Sequence, residues 1–316
     1  MKALALYSGG LDSILAVKLI ERQGIDVVPV HIYTGFAGRK DKAFIEEAVK
    51  AYGLKEPVVL DAREEFLHIL KSPRYGYGKH LNPCIDCKIF FLRKLKELMQ
   101  KTGAQFAVTG EVLGQRPMSQ NKSAMLLIEK ESSLKGLIVR PLSAKLLPPS
   151  IPEEKGWIKR DELCGISGRG RKIQLKLAEE FGLKKIPTPA GGCLLTDPTF
   201  SRRLKILMDV VEETGWEEIE LIKMGRMFLI NGCILLVARN EKEKAFFLSK
   251  DNAVFDEERR TAGCIIGNSE GAEREIAGII LRYARKSGTV ILKGKKIKGQ
   301  PLSPEEVHTK LVGVKA

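Results

Sequence analysis

Short apolar runs alternate with amphipathic stretches through the first half of the chain. Ala3-Leu4-Ala5-Leu6-Tyr7 is short and apolar, as a buried parallel strand should be. After the break Ser8-Gly9-Gly10-Leu11-Asp12-Ser13, the apolar residues Ile14, Leu15, Val17, Leu19 and Ile20 recur at helical spacing, which predicts an amphipathic helix. The same rhythm predicts strands over Val27–Ile32 and Val58–Leu60, with helices over Asp41–Tyr52 and Glu64–Leu70. A loop around Pro83 leads to a helix over Ile89–Lys101, then the strand Phe106–Thr109 ends at Gly110. The expected fold is therefore α/β, a doubly wound parallel sheet with helices on both faces. Ligands in such folds sit beyond the carboxyl ends of the strands, where Ser8, His31, Asp61 and Gly110 all fall.

Beyond residue 143 the pattern loosens. Residues 143–160 are proline-rich and read as a surface excursion, and a helix over Arg171–Phe181 follows. The stretch "KKIPTPAGGC" suits a linker or an ordered loop. From Phe200 a helix (Ser201–Thr214) leads to short alternating segments at Arg226–Ile230, Cys233–Ala238, Cys264–Ile266 and Val290–Leu292. These predict a second, smaller α+β domain with an antiparallel sheet. The expected domains are residues 1–190 and 199–316.

Composition narrows the class. With 316 residues, 44% hydrophobic and 29% charged, the chain can bury two cores. No apolar stretch approaches the ~20 residues that span a bilayer. The N-terminus runs straight from one strand into Ser-Gly-Gly, unlike a signal peptide, so no membrane role and a cytoplasmic location are expected. The net charge of +14, most of it in the first 190 residues, suits a polyanionic partner such as nucleic acid and, equally, a merely solvated Lys- and Glu-rich surface.

The opening loop carries the most specific chemistry. Free amides and a helix N-terminus make an anion site, yet Asp12 places a carboxylate inside it. That makes sense with a nucleotide bound through a divalent cation. The loop lacks the G-x-x-x-x-G-K-[ST] pattern. "SGGLDS" instead resembles the PP-loop of the ATP pyrophosphatases, an adenine nucleotide alpha hydrolase-like fold. That resemblance implies ATP cleaved at its α-phosphate, with pyrophosphate held by Ser8, Gly9, Gly10 and Ser13 and Mg2+ oriented by Asp12. Adenine would lie near His31–Thr34. His31 has an equal reading as a hydrogen-bonded strand-end residue.

Six cysteines are present. Cys84 and Cys87 form a Cys-x-x-Cys, Cys193 stands in a glycine turn, and Cys233 and Cys264 read as buried strand residues. The pair suits a redox couple, half a zinc site or part of an iron–sulfur site. A structural zinc site would want four ligands, and neither a second pair nor a His pair at zinc spacing is present. Three cysteines suit a [4Fe–4S] cluster with one open iron, or a thiol nucleophile with an exchange partner.

Residues 84–145 sharpen the likeness. "CIDCKIFFLRKLKELMQKTGAQFAVTGEVLGQRPMSQN" and "VRPLSAK" resemble the catalytic domain of the tRNA 4-thiouridine synthetases, through Val108-Thr109-Gly110-Glu111, Leu113-Gly114-Gln115, Ser119-Gln120 and Arg140-Pro141-Leu142. The resemblance spans roughly residues 1–185. It implies an ATP-dependent tRNA sulfurtransferase, with Asp12, Cys84, Cys87 and Cys193 catalytic and Gly110, Gln115 and Arg116 near ATP or the base. The three cysteines would hold a [4Fe–4S] cluster, and the sulfur would come from sulfide or a persulfide carrier. A homodimer is left open. The chain starts at the PP-loop, without the RNA-binding segments usual before it, so another region is expected to hold the RNA. "ELIKMGRMFLINGCILLVARNEKEKAFFL" (220–248) resembles an NFACT-R (DUF814-like) RNA-binding domain, with Ala238 in place of a glycine of that pattern. The basic stretches at 165–172 and 285–298 are candidate phosphate contacts. The rival readings are adenylation of a small-molecule acceptor and a non-enzymatic RNA-binding factor.

Overall fold

The computed structural model describes residues 1–37, 42–186 and 192–312. The chain divides into two units, Met1–Leu194 and Leu195–Ala316.

In the first unit five parallel strands, β1 (Lys2–Leu6), β2 (Asp26–Tyr33), β3 (Val58–Asp61), β4 (Phe106–Thr109) and β5 (Ile138–Val139), lie in the order β3-β2-β1-β4-β5. Its helices are α1 (Leu11–Glu21), α2 (Lys42–Ala51), α3 (Arg63–Lys71), α4 (Cys84–Thr102), α5 (Lys122–Glu131), the short α6 (Ile151–Glu154) and α7 (Lys172–Glu180). The side-chain alternation of β1 shows why helices cover both faces. Ala3, Ala5 and Tyr7 share a core with Ile14 and Val17 of α1 and with Ile45 and Val49 of α2. Leu4 belongs to the opposite core, with Leu92 and Leu95 of α4 and Ile128 of α5. The sheet is doubly wound, as its sequence rhythm predicts.

Three expectations need correction. Helix α1 is not amphipathic: its remaining face, Leu11, Leu15 and Leu19, packs on Leu177 and Ala178 of α7, which makes it a central helix. Burying each of those leucines is worth about 1.5–3 kcal/mol. The Pro-rich segment 143–160 is no surface excursion, because Ala144 and Ile158 enter the core. Ser150 and Glu153 form a capping box there, and Arg160 closes the turn with bonds to Glu153 Oε1 at 2.6 Å and Leu147 O at 2.8 Å. Finally α4 starts at Cys84 rather than at Ile89. The predicted start at Asp41 and most of the "KKIPTPAGGC" stretch lie outside the described residues.

The second unit holds α8 (Pro198–Val210), α9 (Trp216–Leu221), β6 (Arg226–Ile230), β7 (Cys233–Val237), α10 (Glu241–Leu248), β8 (Ala253–Asp256), β9 (Ala262–Ile266), α11 (Glu273–Ala284), β10 (Gly288–Leu292), β11 (Lys295–Gly299) and α12 (Pro304–Lys310). Its six strands form an antiparallel sheet ordered β11-β10-β8-β9-β7-β6. Ile276, Ile279 and Ile280 of α11 pack on one face with Phe228, Leu235 and Val290. Cys233 and Cys264 are fully buried strand residues. Among the described residues no helix is long and apolar enough to cross a membrane.

Candidate active site

Parallel pairing of β1 with β4 in the register Leu6↔Thr109 brings the loop after β1 beside Gly110. The approach is very close: a Cβ on Gly110 would lie 2.6 Å from the carbonyl carbon and oxygen of Asp12 and from the amide of Ser13. Only glycine fits there, since backbone cannot yield as a flexible side chain would. Gly9 sits at φ +68°, and a Cβ on it would meet the Phe44 ring at 3.2 Å. Gly10 is the N-cap of α1, in extended conformation.

The two loop serines differ. Ser13 is buried, and its Oγ donates to Gly10 O at 2.7 Å while accepting from the Ser8 amide at 3.3 Å. Its hydroxyl proton therefore closes the loop on itself, whereas Ser8 is exposed. The buried His31 ring donates Nδ1–H to Tyr7 O at 2.9 Å, which braces the end of β1. Asp61 is clamped at the end of β3 by Arg63, whose bonds hold its carboxyl below the usual range against a small opposing effect of burial.

Asp12 is the distinctive group. Its Oδ2 accepts from Gln115 Nε2 at 3.0 Å, and its Oδ1 is buried without a hydrogen-bond partner among the described residues. A buried carboxylate oxygen left open is costly unless something satisfies it, and an oxygen-seeking divalent cation fits that need. Gln115 lies on a turn anchored by Ser143, whose Oγ accepts from the Leu113 amide at 2.9 Å and donates to Ile166 O at 2.7 Å. Gly168 N bonds Leu113 O at 2.7 Å, so the basic stretch 165–172 runs beside this turn.

Cys84 and Cys87 stand on the first turn of α4, where spacing of three puts them on one face. Burial raises both thiols. At Cys87 the neighbouring Cys193 and Cys84 sulfurs add to that rise, while Lys88 and Arg116 oppose it. Cys193 is thus within electrostatic reach of Cys87. Among the described residues, no three His, Cys, Asp or Glu side chains gather closely enough to ligate a single ion. Gln115 touches the loop carboxylate and the next residue, Arg116, lowers the pKa of both α4 thiols. One dipeptide therefore links loop and sulfurs.

Beneath them lies a charge network whose role sequence reasoning missed. Glu111, 2% exposed, accepts from Arg140 Nε at 3.0 Å and from Thr109 Oγ1 at 3.1 Å, and Lys88 Nζ lies 3.3 Å from its other oxygen. Arg140, 4% exposed, also pairs with Glu129. Burial alone would raise the Glu111 carboxyl, but Lys88 and Arg140 hold it down at about 2. The signal available in sequence was a charge placed directly after each of two apolar strands, in "VTGE" and "IVR".

Comparison with known proteins follows the same region. Residues 1–145 match the family model described as ThiI, Thiamine biosynthesis protein (ThiI). A protein of Thermococcus kodakarensis described as "Probable tRNA sulfurtransferase" is 34% identical over 146 residues, 45% of this chain and 36% of that one. The argininosuccinate synthase of Bacillus licheniformis is 32% identical over 114 residues, 34% of this chain and 28% of that one. The matches thus span about a third of the length of these curated relatives. Among solved structures, a 4-thiouridine synthetase–RNA complex with bound ATP aligns with a TM-score of 0.38 and 20% identity, covering 57% of this chain and 50% of that chain. The U34-tRNA thiolase NcsA of Methanococcus maripaludis with its [4Fe-4S] cluster gives 0.34 and 15%, covering 65% and 66%.

Proposed function

We propose that the protein is an ATP-dependent tRNA sulfurtransferase. The observation that carries this reading is the Gln115–Arg116 dipeptide: Gln115 bonds the carboxylate of a nucleotide-type loop whose other oxygen is open, and Arg116 acts electrostatically on the Cys84 and Cys87 thiols. The ThiI match over residues 1–145 and the 34% identity to a described tRNA sulfurtransferase support it. The +14 charge suits an RNA substrate, and the likeness of residues 220–248 to NFACT-R RNA-binding domains points the same way.

The chemistry has two displacements. A carbonyl oxygen of a tRNA uracil attacks the α-phosphorus of ATP, and the α–β bridging bond breaks to release pyrophosphate. Hydrosulfide then attacks the activated ring carbon, the new C–S bond forms, and AMP leaves with the oxygen. The loop amides of Gly9–Asp12 would cradle the pyrophosphate at the N-terminus of α1. Asp12, held by Gln115 and with its Oδ1 open, would hold a magnesium ion, which would supply charge neutralisation for the pyrophosphate. Gly110 keeps the loop in shape by its closeness. His31 braces the strand end beneath the nucleotide.

Cys84, Cys87 and Cys193 would hold a [4Fe–4S] cluster, because three thiols are the donor set such a cluster takes when one iron is left open. Such a cluster, when bound, supplies an open iron able to carry sulfide. Burial raises the Cys84 and Cys87 thiols, and Lys88 and Arg116 oppose that rise, in the direction of the thiolate that any metal–sulfur bond requires.

The argininosuccinate synthase matches favour a second reading, adenylation of a small-molecule acceptor on the same loop. Nucleoside mass spectrometry separates the two: tRNA incubated with the protein, ATP, magnesium and sulfide should acquire thiouridine. Asp12→Asn should abolish both thiouridine and AMP release while the circular dichroism stays native. AMP release by that variant at the wild-type rate would remove the loop assignment. AMP release that tRNA does not stimulate would favour the small acceptor.

A further inference from the structure

The second unit carries a cavity of about 750 Å³ between β6 and the ends of α11 and α12. Three arginines line it: Arg226 from β6, Arg282 from the last turn of α11, and Arg285 from that helix's C-cap. No acidic side chain lines it. Lys250, Lys286, Lys296 and Lys310 of this unit are each paired with a glutamate. Among the described residues, Arg226, Arg282 and Arg285 have no acidic partner.

One of the three arginines, Arg226, is also held in place. The Arg226 guanidinium stacks over the Tyr283 ring at 5.1 Å from its centroid and bonds Ala238 O at 3.2 Å. The far wall is fixed too, since Val312 N bonds Met227 O at 2.8 Å, which ties the end of α12 back to the strand bearing Arg226. That wall is apolar apart from His308, being built from Pro304, Val307 and Leu311. Guanidinium forks match phosphate geometry, and an apolar wall beside them suits a ribose or base edge. Like charges gathered without partners repel one another, so the arrangement is stable only at some cost that a polyanion removes.

We propose that this cavity binds the phosphate backbone of the tRNA, with the three arginines on consecutive phosphates. The inference rests on the tRNA reading above and locates the RNA contact within the second unit. Arg282 and Arg285 are exposed, so replacing them leaves the core intact.

The test uses the full chain and fluorescently labelled tRNA, with anisotropy measured over a range of salt. The double variant Arg282→Gln with Arg285→Gln should bind roughly tenfold or more weakly at about 0.1 M salt. The slope of log affinity against log salt should flatten by roughly 1.4–1.8, since two phosphate contacts are lost. A control, Arg202→Gln with Lys205→Gln, changes charge equally at exposed positions of α8 that do not line the cavity and should behave as wild type. If the cavity variant keeps wild-type affinity and slope while the parent protein binds and thiolates tRNA, the cavity assignment falls and the tRNA reading stands. Equal losses in both double variants would assign the effect to bulk charge and overturn the proposal. A parent protein with no tRNA affinity would remove both readings. Sedimentation with phosphatidylserine vesicles that depends on Arg282 and Arg285, with tRNA binding unchanged, would assign the site to lipid headgroups instead.

Discussion

Replacing Glu111 by glutamine should unfold the first unit at lower denaturant, with a pH dependence that identifies the cause. Glu111 is buried against Arg140 and Lys88, and its carboxyl is lowered from 4.5 to about 2. A folded-state pKa below the unfolded one contributes stability that is complete above the unfolded value and is lost as pH falls through the folded one. The shift corresponds to about 3 kcal/mol at neutral pH, within the range of roughly 3–5 kcal/mol for breaking a buried pair. At about pH 3 roughly half of it should remain. An exposed pair such as Lys94–Glu65, at 2.6 Å, should contribute at most about 1 kcal/mol and makes a suitable control. The assay is urea denaturation followed by Trp157 fluorescence in a Trp216→Phe background, because Trp157 reports on the first unit alone. A difference between wild type and Glu111→Gln that stays below about 1 kcal/mol at pH 7, or is the same at pH 7 and pH 3, would refute this account of the network.

Gly110→Ala should raise the KM for ATP by roughly tenfold or more with little change in far-UV circular dichroism, because its Cβ would displace the backbone of Asp12 and Ser13 by several tenths of an ångström; an unchanged KM in a pyrophosphate-release assay would show that the loop tolerates the shift. Cys193→Ala should abolish thiouridine formation while leaving ATP-to-AMP turnover intact, and should lower the iron content of anaerobically purified protein from about four per chain. Wild-type thiolation by that variant would leave Cys193 outside the site.

Much of the first unit was legible because its signals are local. An apolar run, two glycines and a helical period are enough to mark β1, the loop and α1, since each rests on backbone preference and burial of neighbouring residues. Where α1 packs was not legible, as a helix apolar all round reads like an amphipathic one until α7 is seen covering its other face. In the same way, prolines in 143–160 suggested a loop at the surface, whereas Ala144 and Ile158 find the core only once the chain has returned to it.

What sequence alone determined is the alternation of strands and helices, the position of the SGGLDS loop at a strand end, and the presence of Cys84, Cys87 and Cys193. What tertiary structure decided is which of these meet. Gly110 is 98 residues from Asp12 in the chain, yet the parallel register of β1 and β4 brings them so close that no Cβ fits. Glu111, Arg140 and Lys88 are ordinary charges in the sequence and become one buried network only when α4, β4 and β5 are assembled. The physical reason is common to both: local propensity acts over a few residues, while steric exclusion and charge compensation depend on distances that only the folded sheet sets.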